Sequence, residues 1–308
     1  MDHFRHPAFV VSDEVRTALD EGRGVVALET TIIVHGLPAP TNLQVARECE
    51  AAVRKSGAVP ATVGVLDGAV VVGLDDGELA SLADPARTAR KLAARDLGSA
   101  VSARVDGATT VAGTIAVAHR VGIDVMATGG LGGVHHDAAV SFDESADLTA
   151  LSRIPVLVVA SGIKSILDVG ATLERLDSLG VPVVGYRTTR FAGFYRTDSG
   201  FELGWSVEDP AGAAHAFRAH REWSPTGWLL ANPVAPERQL DRALHDEALA
   251  GALAEASRRG VRGKDVTPVV LAEFAARTGG ASVAVNRDLV IANAELAGRV
   301  SVALAGRA

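Results

Sequence analysis

Two residues of opposite sign stand just beyond short apolar runs: Glu29 after residues 25–28, and Lys164 after residues 156–160 and the small pair Ser161-Gly162. In open α/β sheets, ligands collect beyond the carboxyl ends of the strands, so these are positions where chemistry is expected. Lys164 reads as the start of a helix running to residue 179, where the macrodipole and desolvation disfavour a positive charge and lower the amine's pKa. A neutral lysine attacks an anomeric or carbonyl carbon, and an acid such as Glu29 can supply the proton that opens a sugar ring. The competing reading of Lys164 is a lysine whose stem lies along the surface with its charge in water.

Other runs end in similar fashion. Thr128-Gly129-Gly130-Leu131-Gly132-Gly133, Tyr186-Arg187-Thr188 and Asn232-Pro233 each follow an apolar stretch, which suits a cleft for a small polar, phosphorylated ligand. The glycine cluster lacks the G-x-G-x-x-G spacing of a dinucleotide loop, and a tight turn needing positive φ is expected instead. There is no G-x-x-x-x-G-K-[ST] for a nucleotide-phosphate loop. Residues 107–114 resemble a helix start with hydroxyls and small residues, suited to phosphate or to ordinary capping. Ser141-Phe142-Asp143-Glu144-Ser145-Ala146-Asp147-Leu148 is rich in oxygen donors for a hard cation; alternatively Asp143 or Ser145 caps a helix whose first turn Asp147 complements. His135, His136 and Asp137 read as solvent-facing, because adjacent residues rarely chelate one ion.

Positioning these residues requires alternating strands and helices. Residues 25–28, 123–127, 156–160, 181–185 and 228–231 read as buried strands whose continuous apolarity favours parallel pairing. Residues 41–56 read as a helix with a Thr41/Gln44 capping box and Gly57 as its stop, and another begins at Thr267-Pro268 and stops at Gly279-Gly280. Residues 63–66 and 70–72, joined through Asp67-Gly68, read as a hairpin, so the sheet is mixed.

The composition agrees. Of 308 residues, 48% are hydrophobic and 22% charged, the balance of a chain that buries a core, and no linker or charge block divides residues 1–308 into separate domains. The formal charge of −7 and only 4% aromatics give neither a phosphate-attracting field nor stacking platforms, so no nucleic-acid partner is expected. The single Cys49 cannot form an internal disulfide, which fits a reducing cytoplasm. No run approaches the roughly 18 apolar residues of a spanning helix, and the amino end lacks an export signal, so no membrane partner is expected.

Taken in order, the motifs resemble one family over residues 25–294: Ala27-Leu28-Glu29-Thr30-Thr31-Ile32-Ile33 with His35-Gly36, Gly57-Ala58-Val59-Pro60-Ala61-Thr62, Gly107-Ala108-Thr109-Thr110-Val111, Ala127 to His135, Phe142 to Leu148, Lys164-Ser165-Ile166-Leu167-Asp168 and Gly180-Val181-Pro182. This is the pseudouridine-5′-phosphate glycosidase, or indigoidine synthase A-like, family. The resemblance implies a three-layer α/β/α fold with a mixed, largely parallel central sheet, and a metal-dependent, reversible cleavage of pseudouridine 5′-phosphate to uracil and ribose 5-phosphate in nucleotide catabolism. Ordinary glycosidases use two carboxylates to expel an oxygen or nitrogen leaving group, whereas a carbon leaving group calls for an electron sink such as a lysine imine. By the matching motifs, Lys164 is implied as the nucleophile and Glu29 as the acid. Lys91 and Val111 are implied as substrate contacts, Asp143 as the holder of Mn²⁺ or another divalent metal, and Ser145, Ala146 and Asp147 as the lining of the substrate site. Thr128, His135 and Asn286 are further candidates for the same pocket. His136-Asp137 stands where many relatives have Arg-Gly, and residues 84–92 match loosely. The resemblance also implies a homotrimer. Two alternatives remain open: a C-ribosylating synthase working in reverse on another acceptor, and a non-catalytic phosphosugar-binding protein.

Overall fold

The computed structural model describes residues 9–261 and 266–306. The reading of the amino end falls partly on residues 1–8, outside that range. The strands are β1 (Phe9–Val11), β2 (Val25–Leu28), β3 (Val59–Leu66), β4 (Ala69–Val72), β5 (Arg90–Leu92), β6 (Gly107–Thr109), β7 (Val125–Ala127), β8 (Leu157–Ala160), β9 (Val183–Tyr186), β10 (Ser206–Val207) and β11 (Trp228–Ala231). They form one sheet in the order β1-β4-β3-β2-β7-β8-β11-β9-β10, with β6 joined to β3 and β5 to β6. Among the described residues only β3–β4 and β3–β6 pair antiparallel, so the sheet is mixed and largely parallel as expected. Its central strands carry no polar residue to the surface: all of β8 is fully buried, which is why these runs are apolar without alternation. The β3–β4 hairpin turns through Asp67 and Gly68 at φ 49° and 79°, the positive pair that a two-residue turn between twisted strands requires.

The helices are α1 (Asp13–Asp20), α2 (Thr41–Lys55), α3 (Asp76–Ala83), α4 (Leu97–Ala103), α5 (Val111–Val121), α6 (Ala138–Ser141), α7 (Ala146–Leu151), α8 (Val169–Ser178), α9 (Pro210–Trp223), α10 (Arg242–Arg258), α11 (Val266–Arg277) and α12 (Ala281–Ala305). On one face of the sheet α12 lies across β2, β7 and β8, flanked by α2 and α9; α5, with α7 beside it, covers β2 and β7 from the other. Helices flanking the sheet on two faces are the layered arrangement that a mostly parallel sheet requires. The antiparallel pair α10–α11 packs together, and α11 reaches α12 and a π-helical turn at Ile32–Gly36.

Three local expectations are corrected. Thr41 lies inside α2 rather than capping it: Pro40 precedes the helix with no side-chain cap, and Gln44 donates to Glu48 instead (2.9 Å). Lys164 does not open a helix. Its N–H donates to the Leu131 carbonyl (3.1 Å), which keeps the chain out of helical conformation until Asp168 caps α8 by accepting from Ala171 N (2.9 Å). No helix dipole therefore acts on this lysine from its own segment. Finally, none of Gly129, Gly130, Gly132 and Gly133 has positive φ. They are glycines because neighbours stand where a side chain would begin: a Cβ on Gly130 would lie 2.6 Å from the Phe194 ring, and one on Gly132 2.7 Å from the Asp147 carboxylate.

Candidate functional site

A cleft of about 250 Å³ opens at the carboxyl ends of β2, β6, β7 and β8. Glu29, one residue past β2, enters it almost fully buried, and its attachment explains how. Thr30 Oγ1 donates to the Val63 carbonyl (2.8 Å) and accepts from Thr109 N (2.9 Å), while Thr31 Oγ1 donates to the Ala108 carbonyl (3.3 Å). Two threonines thus pin the turn after β2 to β3 and β6, leaving the glutamate side chain to the cleft. Burial pushes the Glu29 carboxyl above its usual range, against the opposing pull of the Lys164 charge and of a hydrogen bond donated by Thr128 Oγ1 to Glu29 Oε1. A carboxyl held this way keeps its proton at higher pH and is suited to giving it to a substrate oxygen. Lys164, partly buried, lines the same cleft from beyond β8.

The opposite wall is built from Val111, the first residue of α5, and from residues 143–147. Asp147 is buried and accepts at both carboxylate oxygens: Oδ1 takes the Ala112 N–H (2.9 Å) and Oδ2 the Gly132 N–H (3.0 Å). It therefore clamps the start of α5 onto the glycine loop and orients both as cleft walls. Ser145 caps α7 by accepting from Asp147 N (3.2 Å), as one of the sequence readings has it, and Ala146 follows in the wall. Asp143 and His135 face each other at the rim, with 3.9 Å between Asp143 Oδ2 and His135 Nε2. His136 and Asp137 are exposed. Lys91, on β5, completes the cleft with Arg95 and Asp96 beyond it.

Behind the cleft lies a smaller chamber of about 40 Å³, lined with Thr128, Gly129, Gly130 and Asn286 and walled by Ile32, Phe194 and Leu271. Glu29, Thr31, Lys91 and Lys164 line both spaces and so stand at their junction. The candidate site residues are thereby brought to one site: Thr128 and Asn286 to the inner chamber, His135, Asp143, Val111, Ser145, Ala146 and Asp147 to the outer cleft, and Glu29, Lys91 and Lys164 to both; Tyr186-Arg187-Thr188 and Asn232-Pro233, expected at the same cleft, line neither space. Thr110 and His35 lay within marked motifs but were given no role, and Arg95, Phe194 and Leu271 had no spacing that pointed to them.

One further residue holds the floor together. Asn293 of α12, fully buried, donates from Nδ2 to the Thr128 carbonyl (2.8 Å) and accepts at Oδ1 from Asn232 Nδ2 (2.9 Å) and Ser161 Oγ (3.3 Å). A single amide thus ties the ends of β7, β8 and β11, and so the segments bearing Thr128 and Lys164.

The donor set admits a hard cation only in one manner. Among the described residues no group of three or more His, Cys, Asp or Glu side chains is arranged to hold a metal. A cation that retains most of its water needs only one or two carboxylates, and the rim carboxylate of Asp143 fits that.

Fold and site together define an α/β protein with a polar cleft at the ends of a largely parallel sheet, beside a buried acid and a lysine. The chain matches the family described as indigoidine synthase A like protein over residues 14–303, and it belongs to that family. It is 56% identical over 307 residues to the pseudouridine-5′-phosphate glycosidase of Salinispora tropica, covering 99% of this chain and 93% of the relative. It is 54% identical over 299 residues to that of Streptomyces griseus, covering 96% and 92%. Among solved structures, a prealnumycin C-glycosynthase in complex with ribulose 5-phosphate superposes with a TM-score of 0.89 at 39% identity, over 97% of this chain and 98% of that one. An indigoidine synthase A-like protein of Thermotoga maritima gives 0.89 at 33% identity, over 99% of both.

Proposed function

We propose that this chain is a pseudouridine-5′-phosphate glycosidase, reversibly cleaving the C–C glycosidic bond of pseudouridine 5′-phosphate with water to give uracil and ribose 5-phosphate. The observation that carries this reading is the convergence of Glu29 and Lys164 at the junction of a charged outer cleft and an inner chamber faced by Ile32, Phe194 and Leu271. Relatives that share half of its residues over nearly the whole chain bear that name.

In this reading Glu29 gives its proton to the ring oxygen of ribose as Lys164 Nζ attacks C1′, opening the sugar and joining it to the lysine. The nitrogen lone pair then expels the base: the C1′–C5 bond breaks, its electrons pass into the uracil ring, and C5 takes up a proton. Water hydrolyses the remaining imine, releasing ribose 5-phosphate and restoring the amine. The N–H of Val111, the first residue of α5, and the cations Lys91 and Arg95 receive the phosphate and sugar oxygens. Asp143 would hold Mn²⁺ or a similar cation, which would supply positive charge against the substrate's anionic oxygens. The enzyme is metal-dependent and lyase-type in this reading, and acts as a cytoplasmic homotrimer of single-domain subunits. Among the described residues no helix is long and apolar enough to cross a membrane.

The test is incubation of the protein with Mn²⁺ and pseudouridine 5′-phosphate, followed by mass spectrometry. Release of both uracil and ribose 5-phosphate is the expected result; no release with metal bound would overturn the reading. Borohydride with ribose 5-phosphate should add a covalent mass at Lys164, which a mere phosphosugar binder would not acquire.

A further inference from the structure

The inner chamber holds a residue to which no role has been given. His35 sits in the π-helical turn Ile32–Gly36, six residues after Glu29, and lines the chamber with Ile32, Phe194, Leu271 and Asn286. Single π-helical turns are costly irregularities that recur at functional sites. Among the described residues, two polar atoms of this lining are buried without a hydrogen-bond partner: His35 Nε2 and Asn286 Oδ1. A buried polar atom left unpaired costs free energy, and two such atoms in one small chamber that Ile32, Phe194 and Leu271 also face fit a ligand that is flat, has apolar faces and carries hydrogen-bonding groups on its edge.

We infer that His35 is a specificity-determining residue for the leaving base, receiving one polar group on the edge of the heterocycle through Nε2 while the ribose phosphate occupies the outer cleft. This rests on the proposed glycosidase reading and deepens it. Burial, and after it the charge of Lys91, hold the imidazole below the usual histidine range, so the ring is neutral and offers one donor and one acceptor. An imide edge, in which an N–H stands beside a C=O, offers partners of both kinds: the N–H for Asn286 Oδ1, and the C=O for His35 when Nε2 carries its hydrogen. A donor at a base carbonyl would also stabilise the negative charge that passes into the ring as the C–C bond breaks. The glycine at 129 belongs to the same design, since a Cβ there would stand 3.2 Å from Asn286 Oδ1 and 3.4 Å from Ile32.

The experiment runs the reaction backwards, from ribose 5-phosphate and uracil, and determines a KM for each in the wild type, His35→Ala and His35→Gln. His35→Ala is expected to raise the KM for uracil about tenfold or more, the cost of one lost hydrogen bond in a desolvated site. The KM for ribose 5-phosphate, and borohydride trapping of it on Lys164, should stay at wild-type level, which a general loss of structure would not permit. His35→Gln, which keeps a donor and an acceptor, should recover most of the loss. The inference is overturned if the uracil KM of His35→Ala is unchanged, or if both KM values and trapping deteriorate together. A wild-type protein that traps ribose 5-phosphate but never joins or releases uracil would overturn the parent reading, and this inference with it.

Discussion

The outer cleft and the inner chamber share four residues and are otherwise built in opposite ways. The cleft is walled by short strands, helix starts and loops between residues 91 and 147, with charged groups and backbone N–H donors. The chamber is walled by a π-helical turn, the loop bearing Phe194, and the helices α11 and α12; beyond the shared residues and Thr128, its polar side chains are His35 and Asn286, each with one buried unpaired atom. On the proposed reading, the two ends of one substrate would thus be met by parts of the chain far apart in sequence. The contrast teaches that the wall of the chamber can change without disturbing the wall of the cleft, which on the proposed reading separates the base from the phosphosugar. Similarity to a solved C-glycosynthase as well as to glycosidases is consistent with such a division.

The largest effect belongs to a residue on both sides of the division. Lys164→Ala should lower turnover by on the order of 10³-fold or more and abolish borohydride trapping, as loss of a covalent nucleophile does. Near wild-type turnover would end the covalent reading. Glu29→Gln, at the same junction, should lower turnover by about 10²–10⁴-fold.

Its stability should move the other way. Because the Glu29 carboxyl is held above the ordinary value of 4.5, the folded chain binds that proton more tightly than the unfolded one. The resulting stabilisation is full below the unfolded value and is lost as pH rises through the folded one. Glutamine cannot ionise, so melting curves should show Glu29→Gln gaining on the wild type at about pH 7 and not at about pH 4.

The division is next tested from beneath. Asn293→Ala leaves the Thr128 carbonyl and the Asn232 amide without their partner, and should cost about 2 kcal/mol or more in denaturant unfolding. It should impair the cleft and the chamber together. The smallest effect is confined to the cleft: Asp143→Asn should weaken ribose 5-phosphate by about tenfold at fixed Mn²⁺ while leaving the uracil KM alone. A matching change in uracil KM would show that the two spaces are not separate.

Much of this was legible in the chain before folding, for identifiable reasons. Strands β2 and β11 coincide with the apolar runs read at 25–28 and 228–231, because buried parallel strands need no alternation to announce themselves. Glu29 and Lys164 were visible because a charge directly after such a run falls at the sheet's carboxyl edge, where ligands gather. The misread features depend on partners that spacing does not reveal. The helix expected at Lys164 yields to a hydrogen bond with the Leu131 carbonyl, and the glycine loop owes its composition to Phe194, Asp147 and Thr172. Asn293 is a polar residue in an otherwise ordinary helix until Thr128, 165 positions earlier, is brought beside it. His35 stood in a marked motif without a role for a related reason: its isolation is a property of the cavity.

The clamp by Asn293 also has a consequence for how the protein comes into being. Synthesis proceeds from the amino end, so Glu29 and Lys164 leave the ribosome well before the helix that ties down the strand ends between them. During that interval the reactive groups exist without the floor that fixes them. On the proposed reading, catalytic competence would therefore be deferred to the docking of α12, and a chain interrupted ahead of residue 293 would carry the lysine and the acid but not their alignment.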